Sequence, residues 1–251
     1  MMLGNLGNCQ PQEMKENTLN LDKVYDLAQS DHPISSQVKV SLEIIERALK
    51  EYGTQAVALS FNGGKDCTVL LHLFSAVQKR MSLQETSNAA SVKAPSIYIE
   101  TPNPFDEIET FVSASANLYQ LELFKAEGPM KVGLAHFLSK KPEIKAVLIG
   151  TRRTDPHGGS LTTFIPTSDD WPEAMRVHPI LDWEYKTVWA FLRALDVPYC
   201  SLYDHGYTSL GDRDNTLPNP LLKNDRLASG YDPAWMLEDN TSERKGRIQK
   251  T

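Results

Sequence analysis

Two adjacent glycines, placed between an apolar segment and an amphipathic one, constrain this chain most. Residues 56–71 read Ala-Val-Ala-Leu-Ser-Phe-Asn-Gly-Gly-Lys-Asp-Cys-Thr-Val-Leu-Leu. Residues 57–59 predict a buried strand of a parallel sheet. Gly63 and Gly64 allow a tight turn and a close approach of a ligand to the backbone. The residues that follow predict a helix, and its free N–H groups and dipole would favour an anion at the turn.

The turn is not a Walker A loop, which needs a Gly five residues before its Gly-Lys pair and a Ser or Thr after the Lys. Leu59 occupies the first of those positions and Asp66 the second. The segment from Ser60 to Asp66 instead resembles the pyrophosphate loop of adenine nucleotide alpha-hydrolases, which bind ATP and cut between its α and β phosphates. A tight turn without a ligand is the alternative, and the Gly-Gly-Lys-Asp sequence at a helix start argues against it.

Composition and charge exclude several classes of protein. The 251 residues carry a net charge of −6, which argues against a general nucleic-acid binder. No apolar run approaches the roughly 20 residues that span a bilayer, and the N-terminal residues do not predict a secretory signal. Cys9, Cys67 and Cys200 are odd in number and far apart, so we expect a reducing compartment, the cytoplasm. Cys67 could have a lowered pKa at its helix start, although packing is the preferred interpretation.

The chain after residue 34 predicts one α/β domain. Short apolar segments alternate with amphipathic ones over residues 56–150, which indicates a mainly parallel open sheet with helices on both faces. We expect a loosely ordered lead-in over residues 1–34, a nucleotide-binding core over 35–156 and an irregular extension over 157–251. Further expectations concern local structure: a helix from Ser35 or Ser36 to a C-cap at Gly53, a surface loop over 81–95, and a helix with Val132, Ala135 and Leu138 on its apolar face.

A second motif, Gly150-Thr-Arg-Arg-Thr-Asp-Pro156, follows the predicted strand 146–149. Ligands of open parallel sheets bind beyond the carboxyl ends of the strands, where this motif, the glycine turn and residues 100–103 would meet. Arg152 and Arg153 can match phosphate oxygens, and Asp155 can orient an arginine or reach a ligand. A solvated charged turn is the alternative interpretation, and the position at a strand end favours a function.

The extension contributes further candidates. Residues 157–183 form a long irregular stretch, which is typical of a binding element, and Trp171 and Trp183 could flank a flat ring. Asp182 could accept a hydrogen bond from such a ring and is also expected to cap the next helix. Arg244 and Arg247, three residues apart, could clamp a phosphate.

Together these motifs resemble the eukaryotic FAD synthase family, the FMN adenylyltransferases with a phosphoadenylylsulfate-reductase-like fold. The similarity runs from about Val57 to Arg247. It rests on the following segments: Ser60-Phe-Asn-Gly-Gly-Lys-Asp-Cys67, Gly150-Thr-Arg-Arg-Thr-Asp-Pro156, Trp171-Pro, Met175-Arg176, Leu181-Asp-Trp183, Tyr207-Thr-Ser-Leu-Gly211 and Glu243-Arg-x-Gly-Arg247.

The resemblance implies transfer of AMP from ATP to FMN, giving FAD and pyrophosphate. It implies an ATP site of Ser60, Asn62, Gly63, Gly64, Lys65, Asp66, Ile99, Gly150 and Arg152. It implies a flavin site of Arg153, Asp155, Ser168, Asp169, Asp170, Trp171, Arg176, Asp182, Trp183, Arg244 and Arg247. Among these, the catalytic residues would be Asn62, Lys65, Asp66 and Arg247. The family often has Thr-Asp where this chain has Thr167-Ser168, so either Asp169 or Asp170 would take the aspartate's role.

The expected chemistry needs no covalent intermediate. The FMN phosphate, whose second pKa is about 6, would attack the α-phosphorus in line, so the problem to solve is repulsion between two polyanions. Mg²⁺ is expected on the leaving pyrophosphate, with Asp66 as ligand or water-mediated partner. We expect no binding to nucleic acid or to a membrane. The expected assembly is a monomer or a weak dimer.

Other functions remain alternatives. A phosphoadenylylsulfate reductase would need a redox cysteine in its C-terminal segment, and a tRNA-thiolating enzyme would need more cysteines and a basic surface. A non-catalytic nucleotide- or flavin-binding module, or another ATP pyrophosphatase-type enzyme, would share the loop. The strictness of ATP over GTP stays open.

Overall fold

The protein is described from a computed structural model, which covers residues 19–84 and 93–248. The expected lead-in over residues 1–18 and most of the expected loop over 81–95 lie outside these ranges, as does Cys9. Within them, no helix combines the length and apolar character that crossing a bilayer requires.

A six-stranded sheet forms the centre of the fold. Its strands are β1 (Val57–Ser60), β2 (Ala94–Ile99), β3 (Leu121–Ala126), β4 (Ala146–Leu148), β5 (Phe164–Pro166) and β6 (Met175–Val177). Their order is β3-β2-β1-β4-β6-β5, and every neighbouring pair is parallel except β5 with β6. This confirms the predicted mainly parallel sheet. The chain order reverses between β1 and β4, the point where open sheets of this kind bind ligands.

In the part of the chain that the structure describes, six α-helices pack around the sheet. They are α1 (Asp22–Gln29), α2 (Ser35–Tyr52), α3 (Lys65–Gln84), α4 (Asp106–Leu118), α5 (Met130–Lys140) and α6 (Tyr185–Ala194). Side chains of β1 alternate between two apolar clusters. Val57 and Leu59 belong to the larger one with α1, α2, α3, α4 and α6, and Ala58 belongs to a smaller one with Phe137 of α5. Both faces of the sheet are therefore buried, which explains why its strands are almost entirely apolar.

Helix α2 begins at Ser35 and ends at Tyr52, and Gly53 is its C-cap, as predicted. Gly53 has φ of +93°, and its N–H donates to the carbonyl oxygen of Leu49. The expectation of a loosely ordered lead-in was wrong for residues 19–34. Val24 and Leu27 of α1 are buried in the larger cluster, so residues 19–34 are packed rather than loosely ordered.

Helix α5 turns a different face inward from the predicted one. Its buried residues are Gly133 and Phe137, while Val132 is 57% exposed. A Cβ at Gly133 would lie 3.2 Å from side-chain atoms of Ile99 and Ala126, so the helix approaches the sheet closely at a residue without a side chain. Apolar periodicity therefore identified the helix but not the face that it buries.

After α6 the chain folds into short 3-10 turns that return it to the sheet edge. These turns are Ser201–His205, Arg213–Asn215, Pro220–Leu222, Ala234–Met236 and Asn240–Ser242. The fully buried Asn219 fixes them, because its Nδ2 donates to Thr208 Oγ1 at 3.0 Å and to the Ser242 carbonyl oxygen at 2.8 Å. Beyond the last of these turns, Glu243 contacts Lys65 at the N-terminal end of α3.

Candidate active site

The glycine turn between β1 and α3 has the close geometry that its sequence predicted. Gly63 has φ of +73°, and a Cβ there would lie 2.9 Å from Val112 Cγ2 of α4. The Gly64 N–H donates to Asn62 Oδ1 at 3.0 Å, and the Lys65 N–H donates to the Tyr203 hydroxyl at 2.8 Å. Two backbone N–H groups of the turn thus have partners inside the protein, while Asn62 itself is exposed.

Gly150 brings the end of β4 onto the first turn of α3. A Cβ at Gly150 would lie 3.1 Å from both the backbone nitrogen and Sγ of Cys67. Burial, with a further contribution from the Asp66 carboxylate, raises the pKa of the Cys67 thiol to about 12. The alternative of a lowered pKa is therefore wrong, and the preferred interpretation of this thiol as a packing group agrees with its surroundings.

Four charged side chains form an ionic cluster beneath the turn: Lys65, Asp66, Arg152 and Glu243. Lys65 Nζ lies 3.0 Å from Asp66 Oδ2 and donates a short hydrogen bond to Glu243 Oε1. Arg152 Nη2 donates to both carboxylate oxygens of Glu243, at 2.7 and 2.6 Å. Arg152 Nε lies 2.8 Å from Asp66 Oδ1 without the alignment of a hydrogen bond. Each cation therefore contacts both carboxylates.

The cluster is buried, and the opposite charges within it shift the pKa of three members, Lys65, Asp66 and Arg152. The side chains of Lys65 and Arg152 are 2% and 0% exposed. Burial alone would lower the pKa of each, but Asp66 and Glu243 outweigh it and raise both. Burial would likewise raise the pKa of Asp66, and Lys65 and Arg152 outweigh it and lower that pKa. Removing any one member would leave a buried charge without its partner.

Asp155 extends the cluster at its solvent side. Its Oδ2 accepts the Arg152 backbone N–H at 2.8 Å, and its Oδ1 lies 3.6 Å from Arg152 Nη2. Burial raises the pKa of Asp155. With this residue the site holds two cations and three carboxyl groups, so Lys65 and Arg152 provide no surplus positive charge for phosphates.

Two tyrosine rings complete the surroundings of Lys65. Its Nζ lies 5.2 Å from the centroid of the Tyr185 ring and 5.9 Å from that of Tyr203, within the range of cation–π attraction. The Tyr185 hydroxyl donates to the Ala234 carbonyl oxygen at 2.7 Å. These rings and their anchors fix the ammonium group in one position.

Asp66 does not fit the role of a direct magnesium ligand. Both of its carboxylate oxygens contact cations, Lys65 at 3.0 Å and Arg152 at 2.8 Å. In residues 19–84 and 93–248, no group of three His, Cys, Asp or Glu side chains is arranged to hold a metal ion. Mg²⁺ prefers carboxylate, water and phosphate oxygens that are free to complete an octahedron, so Asp66 would first have to leave its partners.

The side chains of Arg244 and Arg247 contact the segment 209–211. Arg247 Nη1 donates to the Leu210 carbonyl oxygen at 2.7 Å, and Arg244 Nη1 contacts Ser209 Oγ at 3.4 Å. Burial, followed by the proximity of Arg244, lowers the pKa of Arg247. Neither guanidinium takes part in the ionic cluster, so these two arginines are available to an anionic ligand near the turn.

Arg153 points away from the cluster and joins two loops. Its Nε donates to Asp182 Oδ1 at 2.6 Å, and its Nη1 donates to the carbonyl oxygens of Gly159 and Leu161 at 3.3 and 3.2 Å. The expected helix cap by Asp182 was wrong, because α6 begins at Tyr185 with Glu184 at its N-cap. Asp182 is exposed and bonded to Arg153, and its predicted contact with a flavin stays a prediction.

The other predicted flavin residues differ in their exposure and in their contacts. Asp170 pairs with Lys131 at 2.9 Å on the surface, Asp169 is exposed, and the Trp171 N–H donates to the Ser168 carbonyl oxygen at 2.8 Å in a turn. Arg176 lies in β6 and donates through Nη2 to the Pro166 carbonyl oxygen at 3.1 Å. The half-buried Trp171 can still meet a ligand.

Trp183 does not lie where a ligand could stack on it. The side chain is in the larger apolar cluster, the residue is 3% exposed, and its Nε1 donates to the buried Ser41 Oγ at 3.0 Å. The expectation that Trp183 flanks a flat ring was therefore wrong. Its sequence position beside Asp182 suggested a ligand, whereas its apolar neighbours along α6 and α2 decide its burial.

Ser60 and Ile99 lie at the carboxyl ends of β1 and β2, where an ATP site was expected. The loop after β2 is clasped by Arg213, whose N–H donates to the Asn103 carbonyl oxygen at 2.9 Å and whose Nε donates to that of Pro104 at 2.8 Å. Asn103 Nδ2 also donates to Asp214 Oδ1 at 3.0 Å. The C-terminal segment thus reaches two strand ends of the sheet.

Sequence reasoning missed the contributions of Glu243, Tyr203 and Tyr185. Glu243 lies in a motif that was singled out for its arginines, yet it contributes the carboxylate shared by Lys65 and Arg152. Its separation from Lys65, 178 residues along the chain, leaves no local signal for the pairing. The two tyrosines read as ordinary core residues, and only their contacts assign them to the site.

Comparisons with known proteins agree with this architecture. The family model of the phosphoadenosine phosphosulfate reductase domain matches residues 56–143 and 126–218. A probable FAD synthase of Schizosaccharomyces pombe is 40% identical over 214 residues, 85% of this chain and 80% of that protein. A probable FAD synthase of Caenorhabditis briggsae is 43% identical over 210 residues, 82% of this chain but 39% of that protein. The chain therefore spans less than half of the nematode relative.

Solved structures of FMN adenylyltransferases resemble nearly the whole chain. The FMN adenylyltransferase of Candida glabrata, crystallised with FMN and the ATP analogue AMPCPP, matches with a TM-score of 0.82 and 27% identity. The alignment covers 94% of this chain and 97% of that one. A match over this share of the chain extends beyond the sheet into the irregular C-terminal extension.

Proposed function

The chain belongs to the FAD synthase family, and we propose that it transfers AMP from ATP to FMN, giving FAD and pyrophosphate. The observation that carries this proposal is the contact between Lys65, at the glycine turn, and Glu243, which lies in the same C-terminal segment as Arg244 and Arg247. The turn offers a close approach to a polyphosphate. The arginines offer guanidinium groups whose charge is not consumed by the ionic cluster.

In the proposed reaction, an oxygen of the FMN phosphate attacks the α-phosphorus of ATP in line as the bond to the pyrophosphate oxygen breaks. No protein nucleophile or base is needed, because the phosphate is largely a dianion near neutral pH. The protein's task is to align two anions and reduce their repulsion. Arg247 and Arg244, with Asn62 and the backbone of the turn, perform that task.

Lys65, Asp66 and Arg152 have a supporting role in this proposal. Their charges are already paired with one another and with Glu243, so they shape the turn from below. This differs from the expected direct contact of Lys65 and Arg152 with phosphate. We therefore expect Asp66→Ala to leave two buried cations without one of their partners, and to lower stability as well as activity.

The flavin site is proposed for the side of the cluster that faces Arg153 and Asp182. Both side chains are substantially exposed and bonded to each other, and Trp171 is half-buried nearby in the chain. Ser168, Asp169, Asp170, Arg176 and Asp155 remain members of this predicted site. Either Asp169 or Asp170 takes the family aspartate's role, and the surface ion pair of Asp170 with Lys131 favours Asp169 for a ligand.

Magnesium enters the proposal as part of the MgATP substrate, with no protein carboxylate assigned to it. The proposed setting is the cytoplasm, in line with the free thiols of Cys67 and Cys200, and the proposed assembly is a monomer or weak dimer. Cell fractionation and light scattering test these two points. Replacing ATP by GTP in the assay tests nucleotide choice.

The test is incubation of the purified protein with FMN, MgATP and pyrophosphatase, followed by chromatographic separation of the flavins. Formation of FAD and of phosphate in the ratio of one to two is the expected result. The competing interpretation, a module that binds nucleotide or flavin without chemistry, predicts FMN binding and no FAD. An ATP pyrophosphatase-type enzyme with another acceptor predicts pyrophosphate release that does not depend on FMN.

A further inference from the structure

We propose that Glu243 is a positioning residue that sets Arg244 and Arg247 at the glycine turn, an inference that rests on the proposed function. Its carboxylate belongs to the same five-residue segment as both arginines but points in the opposite direction. Glu243 is 8% exposed and turned into the cluster, whereas Arg244 is exposed and Arg247 is half-buried over residues 208–211. The segment therefore has an anchored side and a ligand side.

The anchor joins three parts of the fold at one carboxylate. Oε1 of Glu243 accepts from Lys65, the first residue of α3, and both of its oxygens accept from Arg152, which follows β4. Lys65 and Arg152 are positioned independently by Tyr203, Tyr185 and Asp66. The position of Glu243 is thus defined by the turn and the strand end, rather than by its own segment.

Displacement of Glu243 would be transmitted to the arginines through a short, bonded path. The Glu243 carbonyl oxygen accepts from Thr208 Oγ1 at 2.6 Å, and the Arg247 N–H donates to the Arg244 carbonyl oxygen at 2.9 Å. Gly246 lies so close to Leu217 that a Cβ would be 2.2 Å from its carbonyl oxygen. The segment is therefore a tight turn that moves as a unit.

A purely structural role predicts something different. If Glu243 only stabilises the fold, its loss lowers stability, and its effect on the rate multiplies with that of removing Arg247. If Glu243 acts through Arg247, its loss matters little once Arg247 is absent. Residues that act as a unit have non-additive effects on the rate, which a double-mutant cycle measures.

The experiment compares kcat and KM of the wild-type protein, Glu243→Gln, Arg247→Ala and the double variant in the FAD-forming assay. We expect each single substitution to lower kcat about 100-fold, since a misplacement of about 1 Å can cost that much. The double variant should lose no more than about 3-fold beyond Arg247→Ala. KM for both substrates should change less than kcat, because the arginines act in the transfer step.

Glu184→Gln is the matched control. It is the same substitution in a residue that also contacts the C-terminal segment, through the Asn240 Nδ2 at 3.0 Å, but on the exposed side. Its kcat should stay within 2-fold of the wild type. Glu243→Asp retains the charge with a shorter reach, and should keep the melting temperature closer to the wild type than Glu243→Gln while still lowering kcat.

The outcomes separate the inference from the proposed function. A wild-type protein that forms no FAD refutes the function itself. A wild-type protein that forms FAD, with multiplicative losses of about 10,000-fold in the double variant, refutes the positioning role of Glu243. Should Glu243→Gln yield no folded protein, the same cycle with Glu243→Asp decides, and a wild-type kcat for Glu243→Asp alone overturns the proposal.

Discussion

Gly211→Ala moves the Arg247 guanidinium without removing it, and so tests the role of its position alone. A Cβ at Gly211 would lie 2.3 Å from Arg247 Nη2 and 2.5 Å from both Cζ and Nη1. No residue with a side chain fits beneath this guanidinium in its present place. Because the obstructed atoms are at the end of a flexible side chain, the arginine can move while the backbone remains.

The size of the effect follows from the distances. Ordinary van der Waals contact begins near 3.4 Å, so Nη2 has to retreat by about 1.1 Å from its 2.3 Å approach. A displacement of that size at a transition-state contact costs about 100-fold in rate. The cost in stability is smaller, because the hydrogen bond from Arg247 to the Leu210 carbonyl oxygen contributes about 1 kcal/mol. That corresponds to about 2–4 °C in melting temperature for a chain of this size.

The assay is steady-state FAD formation by Gly211→Ala beside a control of similar stability. Gly53→Ala serves for this, since Gly53 has φ of +93° with no atom within 4 Å of a Cβ, and lies at the opposite end of β1. Its backbone strain, at φ of +93° and ψ of +148°, costs about 1–3 kcal/mol without a contact to the site. A kcat of Gly211→Ala within 3-fold of Gly53→Ala would refute the claim that the position of Arg247 matters.

Three further predictions concern the turn, the loop after β2 and the response to acid. Gly63→Ala should lower the unfolding free energy by about 3 kcal/mol in urea melts, because it adds backbone strain at φ of +73° and a methyl group 2.9 Å from Val112 Cγ2; a loss below 1 kcal/mol contradicts this. Arg213→Ala should raise KM for ATP about 5-fold and leave kcat unchanged, because the loop after β2 loses the hydrogen bond from the Arg213 side chain to the Pro104 carbonyl oxygen. An unchanged KM, or a lowered kcat, would contradict this role of Arg213. Burial lowers the pKa of His72 and of His178 from 6.5 to about 4. Between these two values the unfolded chain therefore binds more protons than the folded one. Both histidines contribute their full stabilisation above pH 6.5, and this contribution is lost as the pH falls towards 4. The combined slope is at most about 2.7 kcal/mol per pH unit, and His72→Gln, which can still bond the Tyr119 hydroxyl, should halve it; an unaltered slope means that His72 does not carry its share.

The sequence identified the parts of the fold that rest on local signals. The strand, glycine turn and helix around Gly63 follow from neighbouring residues, and so do α2 with its Gly53 cap and the apolar stripe of α6. Strands β5 and β6 have three residues each, which is too short for an alternation to register. Their identity as strands comes from pairing with each other and with β4.

Side-chain roles were predictable only where the position in the sheet decides them. Asn62, Ser60 and Gly150 lie at the carboxyl edge because strand ends must meet there. Lys65 and Arg152 lie there too, yet they are buried, since a carboxylate from a distant segment neutralises them. No local pattern reports such a pairing, and Trp183 fails for a related reason, because packing against α2 decides its burial.

The ion pairs of Glu243 with Lys65 and Arg152 can form only late in synthesis, because Glu243 is made last. Lys65 emerges from the ribosome 178 residues ahead of Glu243, and Arg152 emerges 91 residues ahead. At about 5–20 residues per second, Glu243 follows Lys65 by roughly 9–36 seconds and Arg152 by roughly 5–18 seconds. Until then Asp66 is the carboxylate that contacts both cations, so we expect water to solvate this corner and the edge of the sheet to close only after residue 243 has been made.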